Sequence, residues 1–495
     1  MEVLQRSAAS AAPAAARTQP SLSWRRGFDD VRATVGDATS AAPANIRGHL
    51  PEWLRGSLLL NGPAVWGLSE AGYRHWFDGL ALLHRIRFEA GGVRMHNRFL
   101  DSEDARLSRQ RGRPELGGYG TPVVGGLLSH ILHLLNPRRT DNGCVVISPC
   151  DGQWLALTES DRVMRFDPET LATLGEWRWA DKHKLPLMAA HPCVDARGRW
   201  WNVGVKFGRE CEYVLVSADK SGAREVKARI PVARPGYLHA FALSARHAVI
   251  WECAWRAHPL RFLFGVESYA AHFDWMPELG SRLHAVDLAD GSVRSWSAPP
   301  LFVFHAAQAF EQGPDVVVDL CLTDKPLDEQ FDMQRLRSGS GAADSAAAIR
   351  ARHTRFVLSP GAASAREEVL PGRFELPQVN AAIASKGPAR YVWGATAEGD
   401  GGFFNRTVKV DHKSGTVTEA GRDDQVSLEP LFVPAPQAHA RAQAEDDGVL
   451  LVHSLADGAC GSCIRVLDAA TLEERASVEL PTVVPFGFHG AWKPG

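Results

Sequence analysis

The chain has 495 residues, which exceeds the usual single-domain size, but all-β propellers and barrels of this length fold as one unit. Its 55 Lys and Arg residues nearly balance 57 Asp and Glu residues, and the net charge of −2 argues against a nucleic-acid partner. The 8 cysteines are scattered, which fits a reducing cytoplasm. Only Cys460 and Cys463 are close together, and we interpret the loop that carries this lone C-x-x-C pair as a hairpin turn.

The first 22 residues are rich in Ala, Ser and Pro, and we expect them to form a disordered tail. They have no apolar stretch after a basic start, so neither a signal peptide nor a membrane span is predicted. Residues 23–495 are then expected to form a single cytoplasmic domain.

Short apolar stretches bounded by turn residues recur along this domain and predict an all-β fold. Examples are Leu58–Leu60, Tyr213–Val216 and Val449–Val452. Several predicted strands end in an aspartate and a turn, which is the weak repeat that propeller blades produce. These aspartates are Asp167, Asp287, Asp411 and Asp468.

Three segments interrupt the strand pattern. Residues 126–137 are apolar and amphipathic but too short to cross a bilayer, so they could dip into a membrane surface or pack on the domain. The insertions at 256–276 and 326–354 look helical. Because of residues 126–137, peripheral contact of the protein with a membrane remains an open alternative.

Four histidines each close a short apolar stretch, and they suggest a metal site. They are His191, His239, His305 and His489. Imidazole suits iron, copper, zinc or nickel, and ligands this far apart in sequence must converge from separate parts of a closed, cyclic architecture. The centre of a β-propeller offers that geometry. Each histidine alone could instead be a satisfied core residue.

The sequences around these histidines resemble the iron-binding motifs of the carotenoid cleavage oxygenase family. They read His-Pro-x-x-Asp, Leu-His-x-Phe, Phe-His-Ala and Gly-Phe-His-Gly, in the family's order. The resemblance covers the chain from Leu50 to Gly495 and includes Leu50–Pro63, His75–Gly79, Arg373–Asn380 and Leu428–Val433. It implies a seven-bladed β-propeller with a helical cap, formed by the two insertions, over the face that carries one Fe(2+) per chain.

The resemblance also implies a glutamate behind three of the four ligands, whereas His191 has none. The pairs are Glu159 with His239, Glu375 with His305 and Glu429 with His489. A ligating histidine usually donates its second ring N–H to such a carboxylate, which fixes the ring and raises its basicity. Without the family context, each glutamate would be interpreted as an ordinary strand-edge charge.

Four neutral ligands leave two positions open on an octahedral ion, which suits dioxygen chemistry better than structural zinc. We therefore expect a dioxygenase that cleaves a C=C bond of a lipophilic carotenoid or apocarotenoid to two carbonyl products, by a dioxetane or an epoxide route. The alternatives are cleavage of stilbene-like phenylpropanoids and a retinoid isomerohydrolase-type activity on the same iron.

Thr158 decides between the first two substrate classes. The stilbene-cleaving branch of the family has a phenol-binding lysine at this place, so Thr158 favours a carotenoid. Phe99, Phe304 and Phe488 are expected to line a substrate tunnel by dispersion contacts, although core packing is an equal alternative. The chain departs from the family pattern at Leu80 and Ala240, which puts the branch in doubt more than the chemistry.

Overall fold

A computed structural model describes residues 22–31, 39–40, 44–125, 138–208, 210–259, 261, 267–338, 350–398, 403–422, 425–436, 444–456 and 461–495. The predicted tail of residues 1–22, apart from Leu22, and the apolar segment 126–137 lie outside these ranges. Within them, no helix is long and apolar enough to cross a membrane.

β-Strands make up most of the regular secondary structure of the described residues. The strands of the first half are β1 (Thr39–Ser40), β2 (Asn45–Gly48), β3 (Gly56–Pro63), β4 (Ala81–Glu89), β5 (Gly92–Phe99), β6 (Val146–Cys150), β7 (Gln153–Leu157), β8 (Met164–Phe166), β9 (Thr173–Glu176), β10 (Leu187–Met188), β11 (Cys193–Val194), β12 (Trp200–Lys206), β13 (Cys211–Ala218), β14 (Arg224–Val232), β15 (Ala242–Leu243) and β16 (His247–Glu252). The remaining strands are β17 (Trp255–Ala257), β18 (Phe273–Trp275), β19 (Ser281–Asp287), β20 (Val293–Ala298), β21 (Phe302–Gln312), β22 (Asp315–Thr323), β23 (Arg352–Leu358), β24 (Arg366–Arg373), β25 (Glu375–Val379), β26 (Tyr391–Thr396), β27 (Arg406–Asp411), β28 (Thr416–Gly421), β29 (Gln425–Pro434), β30 (Gly448–Ala456), β31 (Ser462–Asp468), β32 (Glu474–Glu479) and β33 (Gly490–Pro494).

The helices among the described residues are few and short. The α-helices are α1 (Glu103–Arg111), α2 (Met333–Ser338) and α3 (Ala381–Ala384). The 3-10 helices are Leu22–Phe28, Trp76–Asp78, Ala270–His272, Pro277–Leu279 and Asp328–Phe331.

Seven antiparallel sheets of four or five strands form the blades of a propeller, and a two-stranded ribbon of β17 and β18 stands apart from them. From the axis outward, blade 1 contains β33, β3, β4, β5 and β1; blade 2 contains β6 to β9; blade 3 contains β10 and β11 and then β12 to β14; blade 4 contains β15, β16, β19 and β20; blade 5 contains β21 to β24; blade 6 contains β25 to β28; and blade 7 contains β29 to β32 and β2. The inner strands contact one another around the ring, as at β21 with β25, β25 with β29 and β29 with β33. The predicted seven-bladed β-propeller is therefore confirmed.

The two ends of the chain close the ring at adjacent blades. In blade 1, β33 pairs with β3 from Gly56–Pro494 to Leu60–Gly490. In blade 7, β2 pairs with β32 from Asn45–Glu479 to Gly48–Ala476. Apolar side chains of the two blades, among them Ile86, form one buried cluster between the sheets. Each closing blade thus contains strands from both ends of the chain, which ties them together.

The predicted strand-aspartate-turn repeat follows the blades. In five blades, an aspartate at or directly after the end of the third strand accepts a hydrogen bond from the backbone N–H two residues later, which sets the turn to the fourth strand. These residues are Asp167, Asp219, Asp287, Asp411 and Asp468. The four aspartates taken from the sequence thus occupy equivalent positions, and Asp219 is a fifth.

The two insertions that were expected to be helical contain both helical residues and strands where the structure describes them. The described part of 256–276 has helical residues at Pro259 and Arg261, a 3-10 helix at Ala270–His272 and most of the β17–β18 ribbon. Aromatic packing stabilises the ribbon, because the Trp255 and Phe273 rings contact each other across it with centroids 5.1 Å apart. The insertion at 326–354 contains a 3-10 helix and α2, but its end from Arg352 belongs to blade 5.

Removing strand β33 tests the ring closure separately from the histidines. Deleting Ala491–Gly495 keeps His489 but leaves only the Leu60–Gly490 pair of the β3–β33 ladder. It also removes Trp492, which packs on Phe88 with ring centroids 5.9 Å apart. We expect a loss of about 3 kcal/mol of stability, because a half-buried aromatic side chain and several backbone hydrogen bonds are lost together. A lower melting temperature by calorimetry is the expected result.

The control for this truncation is deletion of residues 1–20, which belong to the predicted tail and should leave the melting temperature unchanged. A protein without Ala491–Gly495 that melts at the wild-type temperature would show that β33 does not close the ring.

Candidate metal centre

The four histidines of the sequence analysis converge at the propeller axis. His191 lies between β10 and β11 in blade 3, His239 just before β15 in blade 4, His305 within β21 in blade 5, and His489 just before β33 in blade 1. One ring nitrogen of each lies within 4.8 Å of those of the other three. The Nε2 atoms of His305 and His489 are 3.1 Å apart. The convergence required by the metal hypothesis is thus present.

β-Bulges aim the side chains of three inner strands at the axis. The pairing of β21 with β22 shifts between Val303 and Ala306, where His305 lies. The same kind of shift begins directly after Glu375 in β25 and includes Glu429 in β29. A bulge adds a residue to one strand and redirects the neighbouring side chains, which explains how strands with an alternating pattern turn these groups inward.

Three carboxylates stand behind the histidines as the family resemblance implied. Glu159 Oε1 is 2.6 Å from His239 Nδ1, and Glu375 Oε2 is 2.6 Å from His305 Nδ1. Glu429 Oε1 is 2.8 Å from His489 Nδ1. Glu159 follows β7, in blade 2, whereas Glu375 and Glu429 belong to blades 6 and 7. Each of the seven blades therefore supplies one of the seven titratable groups.

These hydrogen bonds fix the tautomer of three rings. Because a carboxylate accepts, each Nδ1 carries the proton and donates it, which leaves the lone pair on Nε2. Burial lowers the pKa of His239 and His489, so both rings are neutral near pH 7. Burial and the neighbouring histidines likewise lower the pKa of His191. Neutral imidazoles are the form that binds a metal.

His191 differs from the other three because the family pattern assigns it no carboxylate. Its Nε2 atom is buried and has no hydrogen-bond partner among the described residues. Its ring centroid lies 4.3 Å from that of His489 and 4.8 Å from that of His239. A buried nitrogen aimed into a group of three other imidazoles is what a cation ligand requires.

Two residues that the sequence analysis did not single out support the carboxylates. The Tyr237 hydroxyl donates to Glu159 Oε1, the oxygen that also accepts from His239. Gln378 Nε2 donates to Glu429 Oε1 at 2.9 Å. Tyr237 lies two residues before His239 on the same apolar stretch, and this spacing was the available signal in the sequence. No sequence signal marked Gln378, because the bulge in β25 decides where its side chain points.

An apolar cavity opens onto the histidines. Its wall consists mainly of aromatic and aliphatic side chains, together with Glu375 and three of the histidines. The apolar wall residues are Trp76, Phe77, Val145, Phe304, Leu327, Phe331, Leu376, Phe404 and Phe488. Leu327 and Phe331 come from the second cap insertion, which therefore covers this part of the site.

Phe304 and Phe488 lie in this wall, where a tunnel was expected, but Phe99 does not. Phe99 packs with Ala64 and Leu82, under the Arg109 guanidinium at 4.4 Å, so the expectation for this residue is corrected. The alternation of β5 accounts for this, because it turns Phe99 toward α1. Thr158 is half-buried beside Glu159 and is not part of the wall.

The donor set can hold a metal ion. It offers four imidazole nitrogens, with carboxylates bonded to the far side of three rings. Each cysteine that the structure describes is a free thiol, and thiolates do not take part in the cluster. A set of neutral nitrogens with outer carboxylates suits a borderline first-row ion and not Mg²⁺ or Ca²⁺, which prefer oxygen ligands.

Comparison with known proteins shows the family to which the chain belongs. The family model described as retinal pigment epithelial membrane protein matches residues 33–494. The chloroplastic carotenoid cleavage dioxygenase 8 homolog A of Oryza sativa subsp. japonica is 31% identical over 91% of this chain and 84% of its own length. The carotenoid isomerooxygenase of Galleria mellonella is 29% identical over 94% of this chain and 96% of its own. The chain belongs to the carotenoid cleavage oxygenase family, as its histidine motifs predicted.

Solved structures show the same fold. A variant of Synechocystis apocarotenoid oxygenase superposes with a TM-score of 0.83 at 23% identity, covering 97% of this chain and 100% of that chain. A cobalt-substituted form of the Synechocystis oxygenase gives a TM-score of 0.82 at 24% identity, covering 96% of this chain and 98% of that chain.

The three glutamates should respond unequally to replacement by glutamine. Both oxygens of Glu429 accept from N–H donors, since Gly490 N donates to Oε2 at 2.8 Å and His489 to Oε1. A glutamine there must turn its NH₂ group toward a donor. Glu159 and Glu375 each keep one buried oxygen without a partner among the described residues, where an NH₂ group fits. We expect Glu429→Gln to weaken metal affinity about 100-fold and the other two about 10-fold.

Titration of metal into the three variants measures this order. Glu115→Gln, which removes an ion pair with Arg113 at 3.1 Å, serves as the control and should bind metal as the wild type does. Equal affinities in the wild type and all three variants would show that these carboxylates are structural charges.

Proposed function

We propose that the protein is a non-haem Fe(II)-dependent dioxygenase that cleaves a C=C bond of a carotenoid or apocarotenoid to two carbonyl products. The observation that carries the proposal is the cluster of four buried imidazoles beneath an aromatic cavity. Membership of the carotenoid cleavage oxygenase family supplies the reaction class, because its named relatives include dioxygenases and an isomerooxygenase.

One Fe(II) per chain fits the four histidines. Their Nε2 atoms would hold the ion, and the carboxylates behind His239, His305 and His489 would offset part of its charge through the rings. When bound, ferrous iron would supply a reduced centre with open coordination positions for dioxygen. The cobalt-substituted form of the Synechocystis oxygenase, a neighbour in fold, supports a first-row transition ion at such a site.

The protein's own groups would place the substrate and exclude water. A conjugated polyene lacks polar atoms along most of its length, so aromatic walls hold it by dispersion and shape. Phe304 lies against His239 with ring centroids 5.2 Å apart, and Phe488 packs on Phe77 at 4.9 Å. A double bond lying along this wall would face the imidazole cluster. Both oxygen atoms of O₂ enter the products, so the overall reaction consumes no reductant.

The substrate class follows from the wall and from the relatives. The wall is lipophilic, and the relatives named above act on carotenoids. Cleavage of a stilbene needs an anchor for its phenol, and Thr158 stands where the stilbene-cleaving branch has its lysine. The retinoid isomerohydrolase alternative has no observation in its favour beyond the description of the family model.

Incubation of the iron-loaded protein with three substrates tests this proposal. An apocarotenal, resveratrol and a retinyl ester are offered separately, and the products are identified by mass spectrometry under ¹⁸O₂. We expect two carbonyl products from the apocarotenal, each with an atom of label, and no turnover of the other two. Preferential cleavage of resveratrol, or isomerisation of the ester, would contradict the assignment.

A variant of one ligand tests the role of the iron. His305→Ala removes an imidazole at the centre of the cluster, so we expect loss of bound iron and at least a 100-fold loss of turnover. His183→Ala is the matched control, because the hydrogen bonds recorded at His183 are made by its backbone atoms. Full iron content and turnover in His305→Ala would contradict the proposed ligand set.

A further inference from the structure

A second group of metal-ligating side chains lies between blades 5 and 6. Asp319 belongs to β22 and His353 to β23, both in blade 5, whereas His412 directly follows β27 of blade 6. One carboxylate oxygen or ring nitrogen of each lies within 4.8 Å of those of the other two. Asp319 and His353 are fully buried, and His412 is half-buried. None of the three lines the cavity above the central histidines.

Backbone carbonyls favour, in both imidazoles, the tautomer that a metal ligand needs. His353 Nδ1 is 3.1 Å from the Pro371 carbonyl oxygen, and His412 Nδ1 is 3.2 Å from that of Ala389. A carbonyl oxygen only accepts, so His353 Nδ1 carries the proton and donates it. At His412 the Ala389 carbonyl favours the same tautomer, in competition with the Gln308 amide, whose Nε2 lies 3.3 Å from His412 Nδ1. In this tautomer the lone pair of each ring is on Nε2. A carbonyl partner behind a histidine is a common outer arrangement at metal sites.

Both Nε2 atoms are buried and have no hydrogen-bond partner among the described residues. The His353 and His412 rings stack at a centroid distance of 5.2 Å with an angle of 28° between their planes. A buried acceptor without a donor costs about 1–3 kcal/mol, and here two occur side by side. A metal cation bound by both Nε2 atoms would remove the free-energy cost of both unpartnered acceptors.

The Asp319 carboxylate retains room for a cation. Arg355 donates to its Oδ1 through Nε at 2.7 Å and to its Oδ2 at 2.9 Å, and Gln308 donates to Oδ2 at 2.8 Å. A carboxylate has about four acceptor sites, so one site on Oδ1 remains. The Arg355 guanidinium and the Gln308 amide hold the carboxylate in place. They orient it as outer partners orient a ligating carboxylate.

We propose that Asp319, His353 and His412 form a second metal site, for zinc, that ties blade 5 to blade 6. Two imidazoles and one carboxylate form a set of nitrogen and oxygen donors that zinc accepts, and imidazole disfavours Mg²⁺ and Ca²⁺. The ligands come from two blades, so the site is complete only when these blades are folded against each other. Zinc bound there stabilises the folded propeller by mass action.

Zinc content measured on the iron-loaded protein tests the proposal, because iron then occupies the central histidines. Protein equilibrated with equimolar zinc and desalted is analysed for both metals by mass spectrometry, and its melting temperature is recorded with and without zinc. We expect one zinc per chain beside the iron and a higher melting temperature. In His353→Gln and His412→Gln, we expect zinc to fall at least 10-fold and the thermal shift to vanish, with iron and turnover unchanged.

His96→Gln is the matched control, since His96 is a half-buried histidine on β5 of blade 1, and it should keep the zinc. Circular dichroism of the zinc-free variants checks folding. His412, at the edge of the cluster, provides the second test if His353→Gln does not fold. Absence of zinc from the wild type would mean that water molecules donate hydrogen bonds to the two Nε2 atoms instead. Equal zinc in the wild type and both variants would mean surface binding. Either result overturns the site, and neither bears on the central histidines.

Discussion

Four imidazoles share one buried space, and this crowding constrains the rest of the propeller. Each ring must turn its lone pair toward the axis, because a ring turned the other way would bring an N–H toward its neighbours. Carboxylates at 2.6 to 2.8 Å enforce that orientation for His239, His305 and His489. Those carboxylates come from blades other than the ones that carry their histidines. The orientation of the rings therefore depends on a closed ring of seven blades.

The same arrangement has an electrostatic cost that a cation would offset. Removing a carboxylate from water disfavours its charge, and burial raises the pKa of Glu159 to about 8. The Tyr237 hydroxyl opposes this shift by donating to the carboxylate. A divalent ion among the imidazoles would favour the ionised form further, since it attracts the carboxylates behind the rings. The proposed iron would thus have a structural effect as well as a chemical one.

Much of this could be predicted from the sequence because it is encoded locally. The aspartates that end third strands mark the blade turns, and short motifs mark the four histidines. Features that depend on tertiary context were not predictable. The bulges in β25 and β29 decide where Gln378 meets Glu429, and no local pattern shows them. Phe99 failed as a tunnel residue because a strand-end aromatic gives no sign of the face it occupies. The ribbon at 255–275 arises from cross-strand aromatic packing.

Anomalous diffraction from crystals of the iron-loaded protein tests the central claim most directly. Data on both sides of the iron absorption edge locate iron without reference to activity or stability. We expect one iron peak at the axis, within bonding distance of Nε2 of His191, His239, His305 and His489, with Glu159, Glu375 and Glu429 behind the rings. An iron peak elsewhere, or one bonded to Nδ1 atoms or directly to a carboxylate, would contradict it.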